Sequence, residues 1–151
     1  MSKEQIYHGS CFCGAVQFTL KHDPEAMAYC HCDSCRHWSA APLSAFTLWK
    51  PGNLKINKGE NNIAAFNKNP KSDNQDIISI RKWCSTCGGH IYTEHPTMGL
   101  IDVPVAVIKD FIFTPSFHVH YQESVQPVKD GLPKFKDLPS EAGGTGTTLV
   151  E

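Results

Sequence analysis

The sequence predicts a mainly β fold of short strands, and three observations lead to it. Val16, Phe18 and Leu20 alternate with Gln17 and Thr19, the period of two that turns one face of a strand inward. Turn formers interrupt the chain at short intervals, at Pro51-Gly52, Asn57-Lys58-Gly59, Asn69-Pro70 and Gly88-Gly89. Helix signals are nearly absent, and only residues 33–40 could hold a helical turn, with Asp33 or Ser34 as its cap.

Taken in order, residues 43–49, 54–56, 63–66, 77–83, 90–93 and 103–108 read as further strands, and residues 73–76 as a polar loop. Trp38, Phe46 and Trp49 belong to the expected core, since a small β domain needs large apolar residues. A chain of 151 residues suits one domain, placed at 1–136. Beyond Phe135 the chain is rich in Pro, Gly and Thr. Residues 141–148 hold too little apolar surface to offset the entropy of ordering them, so 137–151 is expected to be a flexible tail.

A net charge of -1 argues against nucleic acid and anionic membranes as partners. The first ten residues are polar and the longest apolar stretch, 101–108, is too short to cross a bilayer, so the expectation is a soluble, cytoplasmic protein. Thiols stay reduced in that compartment. Seven cysteines, an odd number, in tight C-x-C and C-x-x-C spacings therefore fit metal ligation better than a disulfide framework.

The cysteines fall into Cys11-x-Cys13, Cys30-x-Cys32-x-x-Cys35 and Cys84-x-x-Cys87. Zinc prefers a tetrahedron of thiolate and imidazole ligands, and a C-x-x-C turn sets two sulfurs on one side of the metal. Cys84 and Cys87 form such a turn, with Gly88 free to take a positive φ. Cys11 and Cys13 point the same way on an extended backbone and complete four thiolates, a closed site with no position for substrate. Cys30, Cys32 and Cys35 then remain as three ligands with one open position, the pattern of a catalytic zinc. Three thiolates on Zn2+ give a net charge of -1, which weakens the acidity of bound water and suits a soft thiolate substrate.

Simpler readings stand beside these. Cys30 could be a buried apolar thiol, and His31 could complete a second structural site, although an extended backbone would point it away from the flanking ligands. His37, His90, His95, His118 and His120 share no ligand spacing and read as surface or hydrogen-bonded histidines. Arg81 could simply pair with a carboxylate.

The order of motifs, 9-GSCFCGAV-16, 30-CHCDSCR-36 and 81-RKWCSTCG-88, resembles the glutathione-dependent formaldehyde-activating enzyme family, also called the GFA or centromere protein V-like domain. The likeness extends from about Gly9 to Phe135 through Ser39-Ala40-Ala41-Pro42, Gly59, Phe66, His118 and Leu132-Pro133 with Phe135. It implies a β-tent fold and two zinc ions per chain. A structural zinc would fall on Cys11, Cys13, Cys84 and Cys87, and a catalytic zinc on Cys30, Cys32 and Cys35. The activity it implies is that of a carbon-sulfur lyase, S-(hydroxymethyl)glutathione synthase, which condenses formaldehyde with glutathione. Two positions depart from the family pattern: Ala40 stands where Gly is usual, and Val125 and Val128 lie where a Trp is frequent.

The expected function is thus a zinc enzyme acting on a small-molecule thiol such as glutathione and a small aldehyde. The alternatives are a non-enzymatic zinc-binding β-tent module, which has no need of the Cys30, Cys32, Cys35 set, and a thiol-redox or metal-buffering protein.

Overall fold

A computed structural model describes residues 4–68 and 78–151. The expected loop at 73–76, the Asn69-Pro70 turn and the first residue of the expected strand at 77–83 lie outside them. In chain order the elements are β1 (Ile6–Ser10), β2 (Gln17–Lys21), β3 (Ala26–Cys30), α1 (Asp33–Ser39), β4 (Ser44–Trp49), β5 (Leu54–Lys58), β6 (Ile63–Asn67), β7 (Ile80–Cys84), β8 (His90–His95), β9 (Leu100–Pro104), β10 (Phe117–Val119), β11 (Lys134–Phe135) and β12 (Thr148–Leu149). The fold is mainly β, as the sequence predicts. The described residues form two compact units, one within Met1–Glu25 and Thr47–Ile112, the other within Ala26–Phe46 and Phe113–Glu151.

The first unit is antiparallel. Strands β1, β2 and β5 form one sheet, and β9, β8, β7 and β6 lie side by side in another. The alternation in β2 buries Phe18 and Leu20 and leaves Gln17 and Lys21 in water. Those two join Val16, Trp49, Ile91, Ile101, Val103 and Ile108 in the core, each large side chain contributing about 1.5–3 kcal/mol by leaving water. Trp49 meets its expected place, donating from Nε1 to Thr47 Oγ1 at 2.7 Å, while Thr47 Oγ1 donates to the Val103 carbonyl at 2.8 Å. Trp38 and Phe46 are only half-buried. Gly9 is required where β1 crosses the core, because a Cβ there would lie 2.2 Å from the Phe18 ring. The expected strand at 103–108 is corrected: β9 ends at Pro104, and Val105–Val107 turn as a 3-10 helix closed by the Ile108 amide on the Val105 carbonyl at 3.1 Å. Proline holds its own φ near -57° and has no N–H with which to continue a ladder.

The second unit mixes strand directions. β10 runs parallel to both β3 and β11, with His118 opposite Tyr29 and Lys134, and β12 closes antiparallel on β11. The helix expected at 33–40 is α1, but its cap is neither Asp33 nor Ser34. Cys32 takes the extended N-cap conformation, φ -64° and ψ 148°, and its Sγ accepts the Cys35 amide at 3.2 Å. Ala40 ends the helix in the left-handed region at φ 51°, its amide reaching the Arg36 carbonyl.

Candidate metal centres

Each unit brings one group of cysteines together. Cys11, Cys13, Cys84 and Cys87 present their sulfurs within 4.8 Å of one another, and so do Cys30, Cys32 and Cys35. All seven are free thiols.

In the four-cysteine cluster the ligands come from the segment after β1 and from the turn after β7. Cys11 and Cys13 sulfurs lie 3.7 Å apart, and Cys13 and Cys84, 71 positions apart in the chain, lie at 3.9 Å. These are contacts, far longer than the roughly 2.05 Å of a disulfide. The turn at Cys84 closes through the Gly88 amide on the Cys84 carbonyl at 2.8 Å, with Gly88 at φ 75°, where a Cβ would be strained. Donors surround the sulfurs: the Val16 amide reaches Cys11 at 3.3 Å, Asn62 Nδ2 reaches Cys84 at 3.3 Å and the Gly89 amide reaches Cys87 at 3.3 Å. The Gly89 amide, with the Cys13 amide, pulls the Cys87 thiol down to about 6. The Cys87 amide, with that of Thr86, lowers Cys84 as well. At Cys13 the Ala15 amide pulls down, yet burial and the neighbouring thiols push it up to about 11. Four thiols crowded together thus hold some protons tightly and release others early, the state that a bound cation resolves.

The three-cysteine cluster is local. Cys30 ends β3 and is buried, Cys32 caps α1, and Cys35 lies one turn into it. Hydrogen bonds from the Cys30 and Cys35 thiols, with the Cys35 amide, bring Cys32 down to about 3. The same neighbours and burial push Cys30 far up. The donor chemistry of both clusters is all sulfur, with N–H groups donating to Cys11, Cys84 and Cys87 in one and to Cys32 in the other, and fits a soft or borderline cation.

His31 is absent from both clusters and turns into the second unit, fully buried. Its Nε2 lies 2.8 Å from His118 Nδ1, and His118 Nε2 lies 2.7 Å from Asp130 Oδ2. Lys134, also fully buried, donates to Asp130 Oδ1, to the Leu132 carbonyl at 3.0 Å and to Glu151 Oε1 at 2.7 Å. Burial alone would raise Asp130, but Lys134 and His118 hold it below the usual carboxylate range. Burial, followed by the charges of His118, Lys134 and Arg36, brings His31 down to about 4. Sequence reasoning missed this network: it reads His118 as a surface or hydrogen-bonded histidine and as a family position, the hydrogen-bonded reading being the one seen, and Lys134 carries nothing that marks a buried cation.

The other singled-out residues lie elsewhere. His95 Nε2 sits 2.5 Å from Asp102 Oδ2 with Ser79 Oγ at 3.3 Å from Nδ1, His120 faces Glu123 at 3.5 Å, and Arg81 Nη1 reaches Thr93 Oγ1 at 3.4 Å. A cavity of about 340 Å3 is lined by Asp33, Arg36, His37, Ala40, Ala41 and Pro42. Asp33, Arg36 and His37 of α1 line it together with the helix C-cap Ala40, and no cysteine is among the lining residues.

A mainly β chain whose compact units each gather a cysteine cluster able to hold a metal ion defines a metal-site β protein. The chain belongs to the glutathione-dependent formaldehyde-activating enzyme family, whose profile matches residues 6–123. Among curated proteins it is similar to one of Schizosaccharomyces pombe named as an uncharacterized lyase, at 24% identity over 86 residues. That match spans 57% of this chain and 56% of the relative, so the chain covers about half of the relative's length. Among solved structures, a Rhodobacter sphaeroides protein shares the fold with a TM-score of 0.54 at 18% identity, over 70% of this chain and 90% of that one. No helix among the described residues is long and apolar enough to cross a membrane.

Proposed function

We propose that the chain is a zinc-dependent enzyme of carbon-sulfur lyase type that joins a small aldehyde to a small-molecule thiol, with formaldehyde and glutathione as the pair the family name suggests. The observation that carries this reading is the unequal partition of the sulfurs, four in one cluster and three in the other. Four thiolates saturate a tetrahedral ion, so Cys11, Cys13, Cys84 and Cys87 serve structure, whereas Cys30, Cys32 and Cys35 leave one position for a reactant. Zinc held there would supply Lewis acidity beside that position. The chain's own part is to hold the sulfurs ready. Cys32 is kept as thiolate by its neighbours and by the Cys35 amide, and the opening turn of α1 fixes Cys35 against it. The reaction forms a carbon-sulfur bond, opens the carbonyl π bond and moves the thiol proton to the oxygen, so orientation and one proton transfer suffice.

Metal analysis with a single variant tests the proposal. Wild-type protein should carry two zinc ions, and Cys35→Ser should lose one of them together with condensation activity while its circular dichroism stays native. In cobalt-loaded protein, glutathione should shift the sulfur-to-metal charge-transfer bands and S-methylglutathione should not. Full metal content in Cys35→Ser, or equal binding of both ligands with an unmoved spectrum, would defeat the reading and favour a scaffold role.

A further inference from the structure

Within the three-cysteine cluster one residue separates Cys30 from Cys32, and every route by which it could move is held. The His31 amide donates to the Val119 carbonyl at 3.1 Å, and Arg36 Nε donates to the His31 carbonyl at 2.9 Å. Its ring meets His118 at 2.8 Å. His118 is itself fully buried, stacked on the Tyr29 ring at 4.7 Å between centroids and faced edge-on by Tyr121 at 5.9 Å. We propose that the buried chain Asp130–His118–His31 positions the peptide between Cys30 and Cys32 and so sets the metal affinity of the open cluster, with His118 and Asp130 as positioning residues. This rests on the reading of Cys30, Cys32 and Cys35 as a metal site.

The chain has a direction. Lys134 and the buried setting fix Asp130 as an acceptor, so His118 Nε2 carries a hydrogen that it donates to Oδ2 at 2.7 Å. His118 Nδ1 faces His31 Nε2 at 2.8 Å, so the imidazole that Asp130 fixes also holds the His31 ring. His31 Nδ1 is buried without a hydrogen-bond partner, which leaves the His118 contact as the polar hold on that ring. The orientation set by Asp130 is thus passed through His118 to the residue between two ligands. Glu151 anchors the far end, accepting from Lys134 at 2.7 Å and from the Gly131 amide at 2.7 Å. Groups that orient a metal site from outside typically alter its affinity by about 10–100-fold when removed.

The four-cysteine cluster serves as an internal reference in the test. Zinc affinities of both clusters are measured by chelator competition in wild type, Asp130→Asn and Glu151→Gln, with imidazole 15N spectra reporting the tautomers. Asp130→Asn can donate where Asp130 accepts, so it should reverse the tautomer of His118, loosen its hold on His31 and weaken the open cluster by about 10–100-fold, leaving the closed cluster at wild-type affinity. Glu151→Gln should shift the open cluster in the same direction by less. Glu151 is 30% exposed, so this variant decides the matter if Asp130→Asn fails to fold. An open cluster unchanged while the His118 tautomer reverses, or both clusters weakened equally, would overturn the inference alone. A wild-type open cluster that binds no zinc would overturn the underlying metal reading and the inference with it.

Discussion

The two cysteine clusters solve one chemical problem in opposite ways. The four-cysteine cluster joins sulfurs 71 positions apart, and donors from Val16, Asn62 and Gly89 converge on it from separate segments. The three-cysteine cluster takes all its sulfurs from one strand end, one cap and one helical turn. A ligand set gathered from afar exists only in the folded chain, so metal binding there is bound up with folding. A local set can be held in shape by its own backbone and by groups behind it, and can give up its metal without taking the fold along. On the proposed reading, the comparison separates stability from reactivity between the two sites.

The sharpest way to break that comparison is to remove one sulfur from each cluster. Cys84→Ala or Cys11→Ala should lower stability by several kcal/mol, on the order of a 10 °C or larger drop in Tm, and release the structural zinc. Cys32→Ala should cost about 0.5–2 kcal/mol, because it removes the N-cap of α1 as well as a ligand. Thermal melting with metal analysis reads both. A Cys84→Ala protein that melts like wild type with full zinc would remove the distinction.

The partition of the cysteines was legible because ligand spacing is a local property, and four sulfurs plus three is the division that geometry makes. Strands with clean alternation, such as β2, were legible for the same reason. Others were not. β3, Ala-Met-Ala-Tyr-Cys, shows no alternation, and its parallel pairing with β10, Ala28 with Phe117, Tyr29 with His118 and Cys30 with Val119, is a long-range event that no local pattern marks. β11 and β12 are two residues each, too short for any period to show. The helix at 33–39 was anticipated but its cap was not, because a cysteine accepting an amide at a helix start reads as a metal ligand first. Nothing in the sequence marks Lys134 as buried, and the convergence of Asp130, Glu151 and the Leu132 carbonyl makes its burial tolerable.

Acid offers a second probe, and comparison of wild type with Asp130→Asn reads it at the surroundings of one cluster. Asp130 is held below its ordinary range in the folded protein, so the stability from its charge is fully present above the unfolded carboxylate value and fades as pH falls toward the lower folded value. The gap in Tm between wild type and Asp130→Asn should accordingly be constant from about pH 5 upward and narrow below about pH 4. Asp130→Asn is expected to hold the open-site zinc more weakly, so metal content is followed alongside Tm and the gap is read where both proteins keep the same zinc. A gap that widens in acid would mean that the carboxyl acts as a hydrogen donor, and the direction assigned to the Asp130–His118–His31 chain would be reversed.

The smallest expected effect lies at the other end of α1, where Ala40 stands at φ 51° and ψ 41°. A residue with a Cβ loses about 1–2 kcal/mol in that left-handed region, whereas glycine occupies it without strain. Ala40→Gly therefore relieves strain in the folded chain, and the extra freedom that glycine gives the unfolded chain offsets about 0.4–1 kcal/mol of the gain. The net change should be a stabilisation of at most about 1 kcal/mol, read as a rise in Tm of about 1–4 °C. Metal affinity of the three-cysteine cluster should not move. Cys32 is fixed by its own cap and by His31 at the start of the helix, and Cys35 lies only one turn in, so the left-handed residue that ends the helix transmits little to the sulfurs. Should Ala40→Gly loosen the open-site zinc by tenfold while raising Tm, the strain at Ala40 would be part of what holds Cys35 in place, and the cluster would be supported from both ends of α1 rather than from its start.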